Sequence, residues 1–91
     1  MGGAYTSLDF TETFLRDLSA TGFGASEKAA LLQALRLLDE NERHPSLRVH
    51  QLHGDRDGSW SVSASSSLRM TFERRPGGRK RMLTCSRHYE R

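Results

Sequence analysis

At Pro45 the spacing of apolar residues changes, and the change limits this chain to few architectures. Before it, Leu31, Ala34, Leu35 and Leu38 recur at three and four residues, and Phe14 and Leu18 lie four apart. Both are spacings of an amphipathic helix. From Leu47 onward apolar and polar residues alternate, as in strands with one buried face. Helices followed by a run of closely spaced strands imply an α+β fold. Tyr5 to Phe10 reads as a short first strand, and "TETFLRDLSATG" as a helix ended by Gly22. Ser26 is a candidate N-cap for a second helix running to near Glu42, so the pair would form a hairpin across "TGFGA". Four strands then follow, interrupted at "HGDRDGS", at a serine-rich turn and at "RRPGGRK", where Pro and two Gly favour a tight turn. The expected architecture is a short N-terminal strand and a two-helix hairpin packed on a four- to five-stranded, mainly antiparallel sheet.

A chain of 91 residues suffices for one domain with one modest core, here residues 1 to 91. No stretch approaches the roughly 18 apolar residues of a membrane span, so no membrane partner is expected. Cys85 is the only cysteine, which excludes an intrachain disulfide and a cysteine-based metal site. A cytoplasmic address is the simplest reading. Charge is uneven: residues 1 to 42 carry three basic and seven acidic side chains, net −4, and residues 43 to 91 carry eleven and four, net +7. Such asymmetry points to a polyanionic partner, most often nucleic acid.

Alternation assigns side chains to the two faces of the sheet. Trp60, Val62, Ala64, Leu68, Met70 and Phe72 should face the helices, with Val49 and Leu83. Ser61, Ser63, Arg69, Thr71, Arg48, His50, Met82, Thr84 and His88 should face away. One face is thus apolar and the other gathers His50, Arg69 and His88. Tyr89 falls on the opposite parity to His88, so the chain must bend there if the two act together.

The stretch "LHGDRDGSWSVSASSSLRMTF" and the ending "CSRHYER" resemble the RelE/ParE superfamily of bacterial toxins, and among them the YoeB-like messenger RNA interferases most closely. The resemblance rests on Gly58 to Ser61, on Arg69 eight residues past that serine, and on the terminal His-Tyr pair. It implies a RelE-like, microbial RNase-like fold, cleavage of mRNA in the ribosomal A site and neutralisation by a cognate antitoxin; no cofactor or metal is expected, because the outward face offers histidines without the clustered carboxylates of a two-metal nuclease. By position it implies that Arg69 holds the scissile phosphate and that His88 and Tyr89 are the catalytic pair. His50 stands where YoeB-like proteins have a glutamate base, a departure that leaves the base open between His50 and His53. Arg48, His53, Arg56, Arg74, Arg81 and Arg87 are candidate RNA contacts.

The chemistry is consistent with these residue types. Metal-free RNA cleavage needs a base for the 2′-hydroxyl, a cation for the phosphate and an acid for the departing 5′-oxygen. Imidazole titrates near 6.5 in general, so one histidine can serve as base and another as acid near neutrality. Arginine presents a planar fork to phosphate oxygens. Other readings compete: exposed histidines without function, Arg69 paired with Glu73, and His88 and Tyr89 in a frayed tail. Trp60 reads as core, Cys85 as a small buried hydrophobe, and Asp55 and Asp57 as turn residues. Two other functions compete with RNA cleavage: gyrase poisoning by a ParE-like toxin, and a catalytically silent RNA-binding relative.

Overall fold

The computed structural model describes residues 5–20, 22–53 and 58–87. In chain order it contains β1 (Leu8–Phe10), α1 (Glu12–Ala20), α2 (Ala25–Glu40), β2 (His50–Gln51), β3 (Ser59–Ser63), β4 (Leu68–Arg75) and β5 (Arg79–Arg87). The five strands form one sheet in the order β1-β5-β4-β3-β2. Strands β2 to β5 are the expected antiparallel meander, whereas β1 pairs in parallel with β5, aligning Leu8 with Lys80 and Phe10 with Met82. The fold is α+β.

The helices form where the apolar spacing places them, and their ends have identifiable causes. Thr11 caps α1: its hydroxyl accepts from the Phe14 amide at 3.1 Å. The second helix begins two residues earlier than expected. Gly24, not Ser26, precedes it, and the Gly24 amide donates to the Glu27 carboxylate at 2.9 Å. Asn41 ends α2, and Pro45 opens a short 3-10 turn, Pro45–Leu47, rather than a strand. Leu47 therefore buries itself below the sheet and β2 shrinks to two residues.

One apolar cluster joins Phe14, Phe23, Leu31, Ala34, Leu35 and Leu38 from the helical segment to Val62, Leu68, Met70, Phe72, Met82 and Cys85 from the sheet. Trp60 and Ala64 pack against its margin. The alternation expected of β5 fails at one point. Thr71 pairs with Thr84, but its neighbour Phe72 pairs with Met82, leaving Leu83 without an opposite residue. This bulge reverses the parity of everything after it. Met82, expected to face away, is fully buried, while Leu83 is only partly covered.

Helix α1 and the residue before it supply what the interrupted ladder lacks. The Thr11 hydroxyl donates to the Met82 carbonyl at 2.9 Å, the Thr11 amide reaches the same oxygen at 3.2 Å, and the Asp17 carboxylate accepts from the Cys85 amide at 3.2 Å. A bulge whose polar groups are answered from a packed helix is held in place.

Candidate functional site

On the sheet face opposite the helices, strand register builds two adjacent rows of polar side chains. The first runs His50, Ser61, Thr71, Thr84 across four strands, and the second runs Ser63, Arg69, Ser86. The rows are about 7 Å apart, two residues of strand rise. His50, Leu52, Ser61, Arg69, Thr71, Thr84 and Ser86 line one open groove of about 430 Å³. Without the bulge at Leu83, Thr84 and Ser86 would point toward the helices. Sequence parity had Thr84 on this face only because it misplaced Met82 and Leu83 and ignored the reversal between them.

His50 is exposed, and its Nδ1 lies 2.9 Å from the Arg48 carbonyl oxygen. A carbonyl only accepts, so Nδ1 carries the proton. In the neutral ring Nε2 is then the basic atom. Arg48 itself has a left-handed backbone, φ 49 and ψ 46, uncommon for a residue with a Cβ and found disproportionately at functional sites. Arg69 projects from β4 beside the serine turn; its Nη1 donates to the Ser65 carbonyl at 3.0 Å and the Leu68 carbonyl at 3.3 Å. These bonds steer the guanidinium along the groove wall. Behind Thr71, its hydroxyl and that of Thr84 are 2.6 Å apart and tie β4 to β5.

The other candidate residues lie elsewhere. Arg81 points to the same side of the sheet but pairs with Glu73 at 3.3 Å, so the acid considered for Arg69 has this other cation. Arg74 faces the helical layer: it forks onto Glu42 at 2.7 and 3.2 Å and lies 4.2 Å over the Trp60 ring. Trp60 in turn stacks on Phe72. Arg87 also turns to the helices, making a two-pronged bond to Glu27 at 2.7 and 2.8 Å and lying 5.0 Å over Phe23. That bond, with the Gly24 amide, holds the Glu27 carboxyl down at about 2. His53 is exposed. Arg56, His88 and Tyr89 lie outside the described residues, as do Asp55 and Asp57. Cys85 is buried, as expected, and its thiol is pushed up to about 11 by burial and by Asp17 nearby. Among the described residues no three His, Cys, Asp or Glu side chains gather as a metal site, and no helix is long and apolar enough to cross a membrane.

No protein-family model and no curated protein matches the chain. Solved structures do. YafQ from E. coli strain BL21(DE3) superposes with a TM-score of 0.73 at 12% identity, over 89% of this chain and 91% of that one. The fold is that of the RelE/ParE toxins. A YoeB/ParE toxin from Agrobacterium tumefaciens aligns over 92% of this chain and 100% of its own, with TM-score 0.66 and 20% identity. The E. coli DinJ-YafQ toxin-antitoxin complex supplies a third match, TM-score 0.71 at 13% identity over 93% and 94% of the two chains. In this RelE-like fold the two polar rows occupy the exposed face of the sheet. Sequence reasoning identified His50 and Arg69 there, but not Ser86 or the hydroxyls of the serine turn, which carry no distinctive spacing.

Proposed function

We propose that this chain is the toxin of a type II toxin-antitoxin system and that it cleaves mRNA in the ribosomal A site by metal-independent acid-base chemistry. The observation that carries this reading is the His50 imidazole, fixed through Nδ1 and lining one groove with Arg69. His50 Nε2 removes the proton of the 2′-hydroxyl, and the freed oxygen attacks the adjacent phosphorus. Arg69 neutralises the charge that accumulates on the phosphoryl oxygens. The bond to the 5′-oxygen breaks, that oxygen takes a proton from an acid, and a 2′,3′-cyclic phosphate and a 5′-hydroxyl result.

His88 is the proposed acid, two residues beyond Ser86 in the sequence, and Tyr89 its partner, a ring that can stack on a base or donate to phosphate. His53 is the alternative base. Arg48, Arg56 and Arg81 are proposed contacts for the RNA backbone. Arg74 and Arg87 are the less favoured members of that set, because Glu42 and Glu27 already hold them. A cognate antitoxin is the proposed protein partner, supported by the toxin-antitoxin complex among the structural matches.

The test is to add the protein to a translating extract and map mRNA ends by primer extension. Discrete cuts within translated codons are expected, and they persist when a preformed ribosomal complex is treated with a chelator under a magnesium control. Intact mRNA with trapped gyrase-DNA complexes would replace this reading with the ParE-like one. Coexpression of the neighbouring gene product is expected to suppress toxicity and to copurify.

A further inference from the structure

Beside the His50 groove lies a second depression of about 680 Å³, lined by Pro45, Ser46, Arg48, Ser63 and the turn from Ala64 to Ser66, and sharing Arg69 with the first. Its volume suits a small polar ligand. Its walls combine two guanidiniums with several serine hydroxyls, donors and acceptors suited to phosphate and ribose.

Arg48 differs from most of the cations of β4 and β5. Arg74, Arg79, Lys80, Arg81 and Arg87 each pair with an acid, whereas among the described residues no acid pairs with Arg48. An exposed guanidinium without an acidic partner on the rim of a polar groove favours an anion there. The αL backbone that turns the Arg48 carbonyl to His50 also sets the start of its side chain. Arg48 thus lines the second groove and, through its carbonyl, orients the histidine of the first.

We propose that this second groove is a nucleotide subsite, receiving the nucleotide next to the scissile bond on one side of it, with Arg48 on its phosphate and the serine turn on its sugar and base. The proposal rests on the reading of the chain as an RNA-cleaving protein. Arg69 lines both grooves and so sets them side by side, and a strand held at the first can run on into the second. A free mononucleotide would need no such continuity.

The test uses the full chain and uncleavable 2′-O-methyl oligonucleotides: a dinucleotide, and trinucleotides extended on the 5′ or the 3′ side, followed by amide NMR titration. The dinucleotide is expected to perturb the amides around His50 and Arg69. One of the two trinucleotides should in addition perturb Arg48, Ser65 and Ser66 and bind roughly tenfold more tightly, the worth of one charge-assisted phosphate contact. Arg48→Gln should abolish that gain and lower the salt dependence by about 0.7 in log-log slope. Arg48→Gly, which suits the positive φ and keeps the carbonyl for His50, should do the same in a fold free of strain. Equal affinity and equal perturbations for all three oligonucleotides would overturn the subsite while leaving the RNA reading intact. Absence of binding by every oligonucleotide would overturn the subsite, whereas the RNA reading stands or falls on the cuts mapped in the translating extract.

Discussion

The tautomer of a single ring decides how His50 can act. Because the Arg48 carbonyl can only accept, the bond at Nδ1 leaves Nε2 as the sole basic position. A base must be neutral and an acid protonated, so the rate of cleavage should rise and then fall with pH around two apparent values. His50→Gln should remove the low-pH limb; an unchanged profile would transfer the role to His53. His88→Ala should lower the chemical rate by roughly 10²- to 10⁴-fold with little change in RNA affinity. Arg69→Ala should cost at least as much, and Arg69→Lys should not restore the rate, since an ammonium cannot reproduce the fork. Single-turnover cleavage by each variant measures these effects directly. Truncation after Arg87 gives the plainest check of the His-Tyr ending: a folded protein cleaving at the full rate would reduce it to a tail.

At the scale of elements, the bulge in β5 governs which side chains reach the groove. Its carbonyl at Met82 is answered by Thr11, which also caps α1, so one hydroxyl serves a helix start and a strand defect together. Thr11→Val should cost about 1–2 kcal/mol, the usual loss of a cap. For a domain this small, each kcal/mol lowers the melting temperature by roughly 4–8 °C. Calorimetry checks this, and an unchanged melting point would show that water answers those groups equally well. Phe72→Ala, at the fully buried centre of β4, should cost roughly 3–5 kcal/mol. The order of helices and strands was legible because periodicity reports which face is buried. The bulge was not, because one additional apolar residue at Leu83 leaves "RMLTC" looking like an ordinary strand. Nor was the parallel pairing of β1, three residues long and remote in sequence from its partner. Gly24 displaced Ser26 as the cap because Glu27 can reach the Gly24 amide and Arg87 together, an advantage invisible without the strand end beside it.

Over the whole molecule, the contrast between an acidic first half and a basic second half has two outlets. Part of it is spent internally: Asp9 pairs with Arg79, Glu27 with Arg87, and Glu42 with both Arg74 and Lys80. The remainder, including Arg48, is the part available to a polyanion. Composition alone could not divide the two, because it does not say which cations meet which acids. Each of those acids sits below its ordinary range, Asp9 through Arg79 and Glu42 through Arg74, with Lys80 adding to the latter. Asp39 joins them: burial opposes its ionisation, but bonds from Thr6 and Ser7 outweigh it.

Carboxyls lowered by folding stabilise the native state above their unfolded values and withdraw that support as pH falls. For Glu27 the window runs from its ordinary 4.5 down to about 2. The urea midpoint should therefore fall between pH 5 and pH 2.5, and Glu27→Gln should flatten part of that descent. A midpoint indifferent to pH across this interval would mean that these pairs contribute nothing net.

The strand order has a temporal consequence. Because β5 lies between β1 and β4, residues 8–10 find their hydrogen-bonding partners only at residues 80–82. On an elongating ribosome the helices and the β2 to β4 hairpins can take shape early, but the sheet cannot be completed until β5 has cleared the exit tunnel. Closing so long a loop is slow relative to local pairing. The groove gains Thr84 and Ser86 at that same late moment. The polar face is thus completed only when β5 docks between β1 and β4.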